Sequence, residues 1–338
     1  MIIDVHAHVC AAPELYQWKA NLMASRGAHG FTPKKFSDDF VREHTETKRN
    51  LRIMDSVGTD VQFLSPRPYQ LIHAETQFKM IESWAISNHN YIAQQVAAFP
   101  DRFQGICAPP QAKGMPVTVA LPELERCVKE LGFIGLLIDS DPGEGDNSTP
   151  TLDNEYWYPL WEKMVELDVP GLIHSTGCKH GRETYSQHFI SEESLAVLSL
   201  IHSRVLDDFP GLKIIVAHGG GSIPYQVGRW RADYVLLHEA GTVEQFNERL
   251  MRLYYDTCLH AKKSIEMLVS IVSSRNVLFG TENPGSGSAT NPETGKTYDD
   301  IRPLIDGIEF LSVADRSNIF EQNARRLFTR LKVNGRNR

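Results

Sequence analysis

The chain of 338 residues is long enough for one large α/β barrel or for two domains of ordinary size. Apolar residues make up 41% of it and charged residues 23%, proportions that are typical of soluble globular proteins. The net charge is −7 and no basic stripe stands out, which argues against a nucleic-acid partner.

The N-terminal segment and the cysteines indicate a cytoplasmic protein. The chain starts directly with a short apolar run, and no apolar stretch approaches the length of a membrane span, so we expect neither a signal peptide nor a membrane partner. The five cysteines are odd in number and lack CxxC spacing. They indicate reduced thiols instead of a disulfide framework, and they argue against a structural zinc site of the four-cysteine type.

Eight short apolar runs with little polar alternation recur along the chain, as expected for strands that are buried on both faces of a parallel sheet. The predicted strands are 2–5, 60–65, 103–108, 133–138, 170–174, 213–217, 253–257 and 276–280. Segments with helical periodicity are 48–57, 76–99, 118–131, 154–167, 192–208, 223–231, 264–273, 300–310 and 315–331. This alternation predicts a TIM-type (β/α)8 barrel that comprises residues 1–338 as a single domain, in preference to a doubly wound open sheet.

The longest irregular segments follow the predicted strands at their carboxyl ends. They are an inserted loop at about 11–44 and further loops at 139–153, 178–191 and 284–298. A barrel builds its active site from such loops, so we expect the site at the C-terminal mouth.

Residue types that bind metals stand at the ends of three predicted strands. His6 and His8 are two residues apart on a strand, so they point to the same side and one cation can bind both imidazoles. His174 and Glu282 follow the fifth and eighth strands. The four predict a metal site at the barrel mouth, and three histidines with a carboxylate suit Zn²⁺, although Mn²⁺ or Fe²⁺ can occupy such a set. The structural alternatives are a histidine pair in a capping loop, a core histidine and a solvated acid.

His218 follows the sixth predicted strand and precedes three glycines, which permit close backbone approach and unusual dihedral angles. We interpret His218 as a catalytic or substrate-contacting residue, with metal ligation as the second interpretation. Glu282 is predicted to act in catalysis as well as in ligation. A water molecule activated by the metal would have a pKa of about 7 and would supply hydroxide at neutral pH.

Arginines in the predicted mouth loops are candidates for binding substrate carboxylates, because guanidinium groups bind carboxylates bidentately. Arg67 stands between two prolines after the second strand, and we predict that it clamps a carboxylate instead of pairing with a neighbouring acid. Arg229 and Arg231 flank a tryptophan on a predicted helix, and Tyr69 and His73 are predicted to line the pocket. The predicted partner is therefore a small carboxylate.

These residues resemble the second amidohydrolase family of the amidohydrolase superfamily, whose members include metal-dependent decarboxylases and hydratases. The Asp-x-His-x-His opening, the histidine after the fifth strand, the His-Gly-Gly-Gly segment and the acid after the eighth strand come in family order, so the resemblance covers nearly the whole chain. Further segments look like the 4-oxalomesaconate hydratase group: 65–67, 125–130, 132–133, 157–159, 162–167, 218–225, 228–231, 291–295, 298–300 and 323–326. The resemblance implies the metal ligands His6, His8, His174 and Glu282, with His218 in proton transfer.

One position separates activities within this family. Its decarboxylases typically carry Ser-Asp-x-Pro after the eighth strand, whereas this chain has Thr281-Glu282-Asn283-Pro284, and the hydratases are expected to use the glutamate as a metal ligand. Two features depart from the hydratases. The loop after His174 is shorter than expected, and Phe189 stands where a tyrosine is expected near the active site.

The resemblance predicts a hydro-lyase that adds water across the C=C bond of an unsaturated oxo-polycarboxylic acid in aromatic catabolism of the protocatechuate or gallate type. The main alternative is a metal-dependent nonoxidative decarboxylase of a hydroxybenzoate or muconate-type acid. A hydrolase of a lactone, ester or amide ranks below it, and a barrel used only for binding is the non-enzyme alternative. The resemblance also implies a homo-oligomer, as a dimer or a larger assembly.

Overall fold

The computed structural model describes residues 1–26, 28, 32–239 and 241–333. Its eight strands all pair in parallel, in the order in which they occur along the chain. They are β1 Ile3–His8, β2 Val61–Ser65, β3 Phe103–Cys107, β4 Gly135–Ile138, β5 Gly171–Ile173, β6 Ile214–Val216, β7 Tyr254–Asp256 and β8 Val277–Leu278. Each predicted strand is confirmed, although β1 extends to His8 and β8 is shorter than predicted.

Backbone hydrogen bonds join the last strand region to the first. The Val5 N–H donates to the carbonyl of Phe279 at 2.9 Å, and the Glu282 N–H donates to the carbonyl of His6 at 2.7 Å. The sheet therefore curls into a barrel, as a sequential parallel strand order requires. The predicted TIM-type (β/α)8 fold is confirmed.

Helices alternate with the strands on the outside of the barrel. They are α1 Pro13–Ala24, α2 Asp38–Glu43, α3 Thr45–Val57, α4 Phe78–Ala98, α5 Leu121–Lys129, α6 Tyr158–Leu167, α7 Tyr185–His202, α8 Val205–Asp208, α9 Ile223–Leu237, α10 Val243–Leu250, α11 Lys262–Val272, α12 Arg302–Asp306, α13 Val313–Ser317 and α14 Asn323–Leu327. A π-helical turn, Asn318–Gln322, lies between α13 and α14. Within the described ranges, no helix combines the length and apolar character needed to cross a membrane.

The inserted segment at 11–44 is not the irregular loop that we predicted, because it contains α1 and α2. A proline starts α1, and the Ser37 hydroxyl caps α2 by accepting the Phe40 N–H. Helix α7 also begins earlier than predicted, where Thr184 and Gln187 form a capping box. A proline or a side-chain cap starts each of these helices, and apolar periodicity does not reveal such signals.

The barrel interior is packed at its N-terminal end by apolar side chains from alternating strand positions. Ile3, Val5 and Phe63 belong to this inner cluster, and Phe328, just after α14, packs its ring edge-on against Phe63 with centroids 4.8 Å apart. A larger apolar layer separates the sheet from the helices. This inner cluster fills the N-terminal end of the barrel, whereas polar strand-end residues lie at the C-terminal mouth.

Candidate metal centre at the barrel mouth

A one-residue bulge in β1 turns both histidines of this strand into the barrel. Asp4 pairs with Gln62 and Ala7 pairs with Leu64, so three steps along β1 face two steps along β2. Asp4 itself faces Gln62 and Thr281, on the side away from the inner cluster. Because the bulge shifts the alternation by one residue, His6 and His8 point to the inside with His174, 5.0 and 5.6 Å from its ring, although Asp4 does not.

The four predicted ligands come together at the carboxyl ends of their strands. The ring centroid of His6 lies 5.2 Å from that of His8 and 5.0 Å from that of His174. His8, His174 and Glu282 offer ligand atoms that all lie within 4.8 Å of one another. The Nε2 atoms of His6, His8 and His174 are buried and have no hydrogen-bond partner among the described residues.

The other ring nitrogen of each of these histidines is held by a fixed acceptor. His6 Nδ1 lies 2.6 Å from Asp256 Oδ2, His8 Nδ1 lies 3.0 Å from Ser65 Oγ, and His174 Nδ1 lies 2.6 Å from the Ser175 carbonyl. Protons on Nδ1 leave the Nε2 lone pairs free and directed at one another. Three orphaned lone pairs beside a carboxylate are the donor set that a divalent cation requires, so the residues present fit a metal.

Electrostatics hold the donors in their metal-binding protonation states. Burial, aided by the neighbouring imidazoles, lowers the pKa values of His8 and His174 well below the usual range, so both rings are neutral. Burial opposes ionisation of Glu282, but the imidazoles of His218 and His260, 3.6 and 3.9 Å from Oε2, outweigh it and hold the pKa of this carboxyl below its usual range. Neutral imidazoles and an ionised carboxylate are the forms that bind cations.

Glu282 and His218 both have strained backbones that aim their side chains at the centre. Their φ angles are +61° and +48°, a region that residues other than glycine seldom adopt. The Ser286 hydroxyl donates to Glu282 Oε2 at 2.8 Å. His218 Nδ1 lies 2.8 Å from a carboxylate oxygen of Glu193 on α7, and its Nε2 lies 3.6 Å from Glu282 Oε2. His218 is thus fixed with one nitrogen facing the carboxylate.

A cavity of about 240 Å³ opens above these residues. The residues that line it are His8, Arg67, Pro68, Tyr69, His174, Tyr185, Phe189, Glu282, Pro284, Gly285 and Ser286. The Arg67 side chain has a buried Nε without a partner, and its only bond within the described part of the chain is to the Tyr69 hydroxyl at 3.4 Å. The cavity therefore offers an unpaired cation to an anionic ligand.

Three predicted substrate residues do not line this cavity. His73 is buried and its Nδ1 lies 2.7 Å from Asp139 Oδ2 at the end of β4. The Nε of Arg231 donates to Asn247 Oδ1 on α10 at 2.9 Å, and Arg229 is exposed. Neither arginine is among the residues that line the cavity above the predicted metal ligands.

Several residues of the site were missed from the sequence. Asp256 is the last residue of β7. It could have been predicted as a site residue in the same way as Glu282, because both are acids at the end of an apolar run. Tyr185 lies inside the predicted 178–191 loop and had no sequence signal. In the structure its ring contacts Phe189 with centroids 5.5 Å apart, and Phe189 stacks on His218 with an interplanar angle of 6°. A phenol therefore reaches the mouth one helical turn before Phe189.

Comparison with known proteins fixes the family. The model of the amidohydrolase family matches residues 3–330. The chain belongs to the amidohydrolase family. This amidohydrolase is 36% identical to a 2-keto-4-carboxy-3-hexenedioate hydratase from Sphingobium sp. (strain NBRC 103272 / SYK-6), over 98% of this chain and 97% of that protein. It is 29% identical to a gamma-resorcylate decarboxylase from Polaromonas sp., over 94% of this chain and 97% of that protein.

Solved structures of a hydratase and a decarboxylase are also similar to this chain. The crystal structure of 4-oxalomesaconate hydratase from Rhodopseudomonas palustris matches with a TM-score of 0.84 and 30% identity, over 98% of this chain and 96% of that one. A dihydroxybenzoic acid decarboxylase from Polaromonas sp. JS666, solved with bound manganese, shares the fold with a TM-score of 0.71 and 24% identity, over 97% of this chain and 96% of that one. This amidohydrolase is a lyase that depends on a divalent metal.

Proposed function

We propose that this amidohydrolase is a hydratase that adds water across a C=C bond of an unsaturated oxo-polycarboxylic acid of the 4-oxalomesaconate type, in catabolism of protocatechuate- or gallate-type aromatic acids. The observation that carries the proposal is Glu282, a glutamate instead of an aspartate, held at the mouth by Ser286 and facing His218. The relatives at 36% and 30% identity, which match over nearly their whole length, are hydratases of such acids.

We propose His6, His8, His174 and Glu282 as the ligands and Zn²⁺ as the metal. The three orphaned Nε2 atoms and the ionised carboxylate support this assignment, since nitrogen donors with one oxygen suit zinc, while Mn²⁺ is the competing ion. When bound, such a cation supplies a water of pKa near 7 and polarises an adjacent carbonyl group. Elemental analysis of protein purified without added metal distinguishes the two ions.

Substrate carboxylates bind to Arg67 in this proposal. Its side chain stands at the cavity wall with an unsatisfied Nε, and the flanking prolines fix its backbone. Tyr69 and Tyr185 stand beside it, and their rings lie 6.4 Å apart. A bidentate pair between the guanidinium and a carboxylate would orient the double bond over the metal ligands.

Proton transfer falls to Glu282 and His218. Addition places a hydroxyl on one carbon of the double bond and a proton on the other, so the proton removed from water has to reach the neighbouring carbon. Burial opposes protonation of His218, but Glu193 and Glu282 outweigh it and raise the pKa of His218 well above its usual range, so the ring is protonated. Its Nε2, 3.6 Å from Glu282 Oε2, can deliver a proton to that carbon. The proton released by the attacking water then restores His218. Glu193 keeps the imidazole in this orientation through Nδ1.

Nonoxidative decarboxylation is the second candidate. The similarity to gamma-resorcylate decarboxylases, at 29% identity over most of both chains, favours it, and the same arginine would hold the carboxylate that is lost. Hydrolysis of a lactone, ester or amide is the weakest candidate, because it does not require the unpaired Arg67.

An ultraviolet assay separates these candidates. Metal-loaded protein is mixed with 4-oxalomesaconate or with 2,6-dihydroxybenzoate, and the loss of the conjugated absorbance is recorded together with released CO₂. We expect hydration of the first acid without CO₂, and we expect Glu282→Asp to lose most of this activity because the shorter side chain withdraws its oxygen. Release of CO₂ from the second acid without hydration of the first contradicts the proposal in favour of decarboxylation.

We further propose a cytoplasmic location and a homo-oligomer. All five cysteines are free and four of them are buried, which is consistent with a reducing compartment. Helix α9 exposes Tyr225, Leu236 and Leu237, three large apolar side chains that a subunit contact would cover. Light scattering on the purified protein, compared with a Leu236→Lys variant, tests the assembly; a monomeric wild type contradicts it.

A further inference from the structure

A second cluster of metal-binding side chains lies in the segment that joins β5 to α7. It contains Cys178, His180, Glu183 and His188, and one ligand atom from each lies within 4.8 Å of every other. None of the four lines the catalytic cavity. We call these four residues the β5–α7 cluster.

Two separations in the β5–α7 cluster are close to those of a tetrahedral zinc site, one within its range and one slightly shorter. Glu183 Oε2 lies 3.1 Å from His188 Nδ1 and 3.7 Å from His180 Nε2. Bonds of 2.0–2.3 Å in a tetrahedral site separate neighbouring ligand atoms by about 3.3–3.8 Å. The remaining separations, up to 4.8 Å, need to shorten by roughly 1 Å to reach that range.

His188 is oriented in the same way as His6, the proposed ligand of the catalytic metal. The residue is buried, and its Nε2 lies 3.2 Å from Asp141 Oδ2, whose carboxylate in turn accepts the Gly143 N–H. Asp141 thus fixes the ring of His188 as Asp256 fixes that of His6. A carboxylate behind a histidine ligand is the usual support of a metal site.

Both ring nitrogens of His188 face carboxylates, those of Glu183 and Asp141. These two acids favour a positive charge between them, either a proton on the ring or a bound metal ion. Burial opposes protonation, but Asp141 and Glu183 outweigh it and raise the pKa of His188 to about 9. Without a metal, the protonated His188 ring donates to both carboxylates. A divalent cation that binds Nδ1 displaces that proton and neutralises Glu183 in its place.

The two other ligands need small chemical changes. The Cys178 thiol points at the His180 carbonyl, with its sulfur 3.4 Å away, and it has to lose its proton to bind. His180 Nδ1 accepts the Arg182 N–H at 3.3 Å, so ligation through Nε2 shifts the ring proton to Nδ1 and breaks this long, exposed bond. These costs are modest because both residues lie in a loop that is partly open to solvent.

We propose that the β5–α7 cluster is a structural zinc site, separate from the catalytic centre. Two imidazoles, a thiolate and a carboxylate fill a tetrahedral sphere, which leaves no position for water or substrate. The bound ion would fasten the loop to the first turn of α7. That turn carries Tyr185 and Phe189 into the catalytic cavity, so the ion would also fix one wall of the active site.

Metal content tests the proposal without measuring activity. Wild-type protein and a Cys178→Ser/His180→Asn variant are saturated with Zn²⁺, dialysed against metal-free buffer and analysed. We expect two zinc ions per wild-type chain and one per variant chain. The His6→Ala/His8→Ala variant, which lacks two catalytic ligands, should retain one. A wild-type chain that keeps a single zinc ion, lost in the His6→Ala/His8→Ala variant, overturns the proposal.

Thiol alkylation and cobalt spectroscopy test ligation by Cys178 directly, and the alkylation rate is measured on the wild-type protein. Cys178 is partly exposed and the other four cysteines are buried, so iodoacetamide reports on Cys178. We expect Zn²⁺ to slow its modification at least about 10-fold, since a zinc-bound thiolate is not free to react, and a chelator to restore the rate. Substitution with Co²⁺ should give a thiolate-to-cobalt charge-transfer band that Cys178→Ser removes. Equal alkylation rates with and without zinc, or no such band, contradict zinc ligation by Cys178.

Discussion

The imidazole of His6 and the carboxylate of Asp256 are both fully buried, and His6 Nδ1 lies 2.6 Å from Asp256 Oδ2. Burial opposes ionisation of Asp256, but His6 outweighs it and lowers the pKa of this carboxyl below its usual value. The other oxygen of Asp256 accepts the Gly219 and Cys258 N–H groups at 3.3 and 3.0 Å. One carboxylate therefore orients a predicted metal ligand and anchors the segment that follows His218.

Asp256→Asn keeps the size of this side chain and removes its charge, so His6 loses the acceptor that fixes its tautomer. We expect the affinity for the catalytic metal to fall about 10- to 100-fold, the usual cost of losing such a support. Competition with a coloured chelator measures the affinity. Asp39→Asn, at an exposed position on α2, is the matched control and should leave it unchanged. An unchanged affinity in Asp256→Asn would mean that the ring is held by packing alone.

Arg67→Met removes the unpaired guanidinium and keeps most of the apolar stem. A hydrogen bond to a charged group contributes about 1.5–3 kcal/mol, so kcat/KM for a carboxylate substrate should fall about 10- to 150-fold. Most of the loss should appear in KM, because the arginine holds the substrate in the ground state as well. Initial rates over a range of substrate concentrations separate the two parameters.

Arg52→Met is the control for charge removal, since Arg52 is exposed on α3. Arg67→Lys should recover only part of the loss, because an ammonium group cannot reproduce a bidentate pair. If Arg67→Met keeps the wild-type KM, the substrate carboxylate binds elsewhere.

The strand order, and the gathering of His6, His8, His174 and Glu282 at one end of the barrel, were predictable because both depend on short-range patterns. An apolar run that ends in His or Glu predicts a ligand at the barrel mouth wherever the strand lies in the sheet. The inward direction of His6 and His8, however, depends on the bulge in β1, and no residue of that strand marks a bulge. Residues two apart on a strand point to the same face, so the spacing predicted that His6 and His8 lie together. The spacing did not predict whether that face is the inside or the outside of the barrel.

The substrate residues were less predictable because long-range packing decides them. Arg67 follows a strand directly, so its position at the mouth followed from the fold. Arg229 and Arg231 lie well inside α9, where the rotation of the helix against α10 determines which face meets the cavity. Tyr185 reaches the cavity because α7 begins at a capping box earlier than its apolar pattern indicates.

Glu123 on α5 stabilises the fold far from the active site. It accepts two 2.7 Å hydrogen bonds from the Arg126 guanidinium and lies 2.6 Å from His89 Nδ1. Burial raises its pKa, but these partners outweigh burial and lower the pKa from 4.5 to about 2. Because the folded-state pKa is depressed, its stabilisation is complete above about pH 4.5 and is lost as the pH falls toward 2.

Glu123→Gln should therefore lower the free energy of unfolding by roughly 2–3 kcal/mol at pH 7. The difference from the wild type should shrink as the pH falls from 4.5 toward 2. Urea unfolding over this pH range measures it. Glu125→Gln, at a partly exposed position on the same helix where the carboxylate pairs with Lys129 on the surface, should have a much smaller effect. A difference that stays constant with pH would show that the loss comes from packing and not from ionisation.

Gly221 cannot carry a side chain without moving α7. Its φ is +63°, and a Cβ atom there would lie 2.6 Å from the Ile190 carbonyl and 2.5 Å from the Ser194 hydroxyl. The left-handed backbone alone costs about 1–2 kcal/mol for alanine, and the contact with backbone adds to it. We expect Gly221→Ala to lower the free energy of unfolding by more than about 2 kcal/mol. Because Glu193 on α7 holds His218, we also expect this variant to lose hydration activity.

Gly228 on α9, unlike Gly221, has room for a side chain. Nothing lies within 4 Å of a Cβ atom built there, and its backbone is helical. Alanine is favoured over glycine by about 0.8–1.0 kcal/mol in a helix interior, so Gly228→Ala should raise the unfolding midpoint and leave activity unchanged. Urea unfolding of the two variants compares them directly. Equal and small effects would mean that α7 yields to the new methyl group at Gly221, and that the glycine after His218 is not required for the geometry of the site.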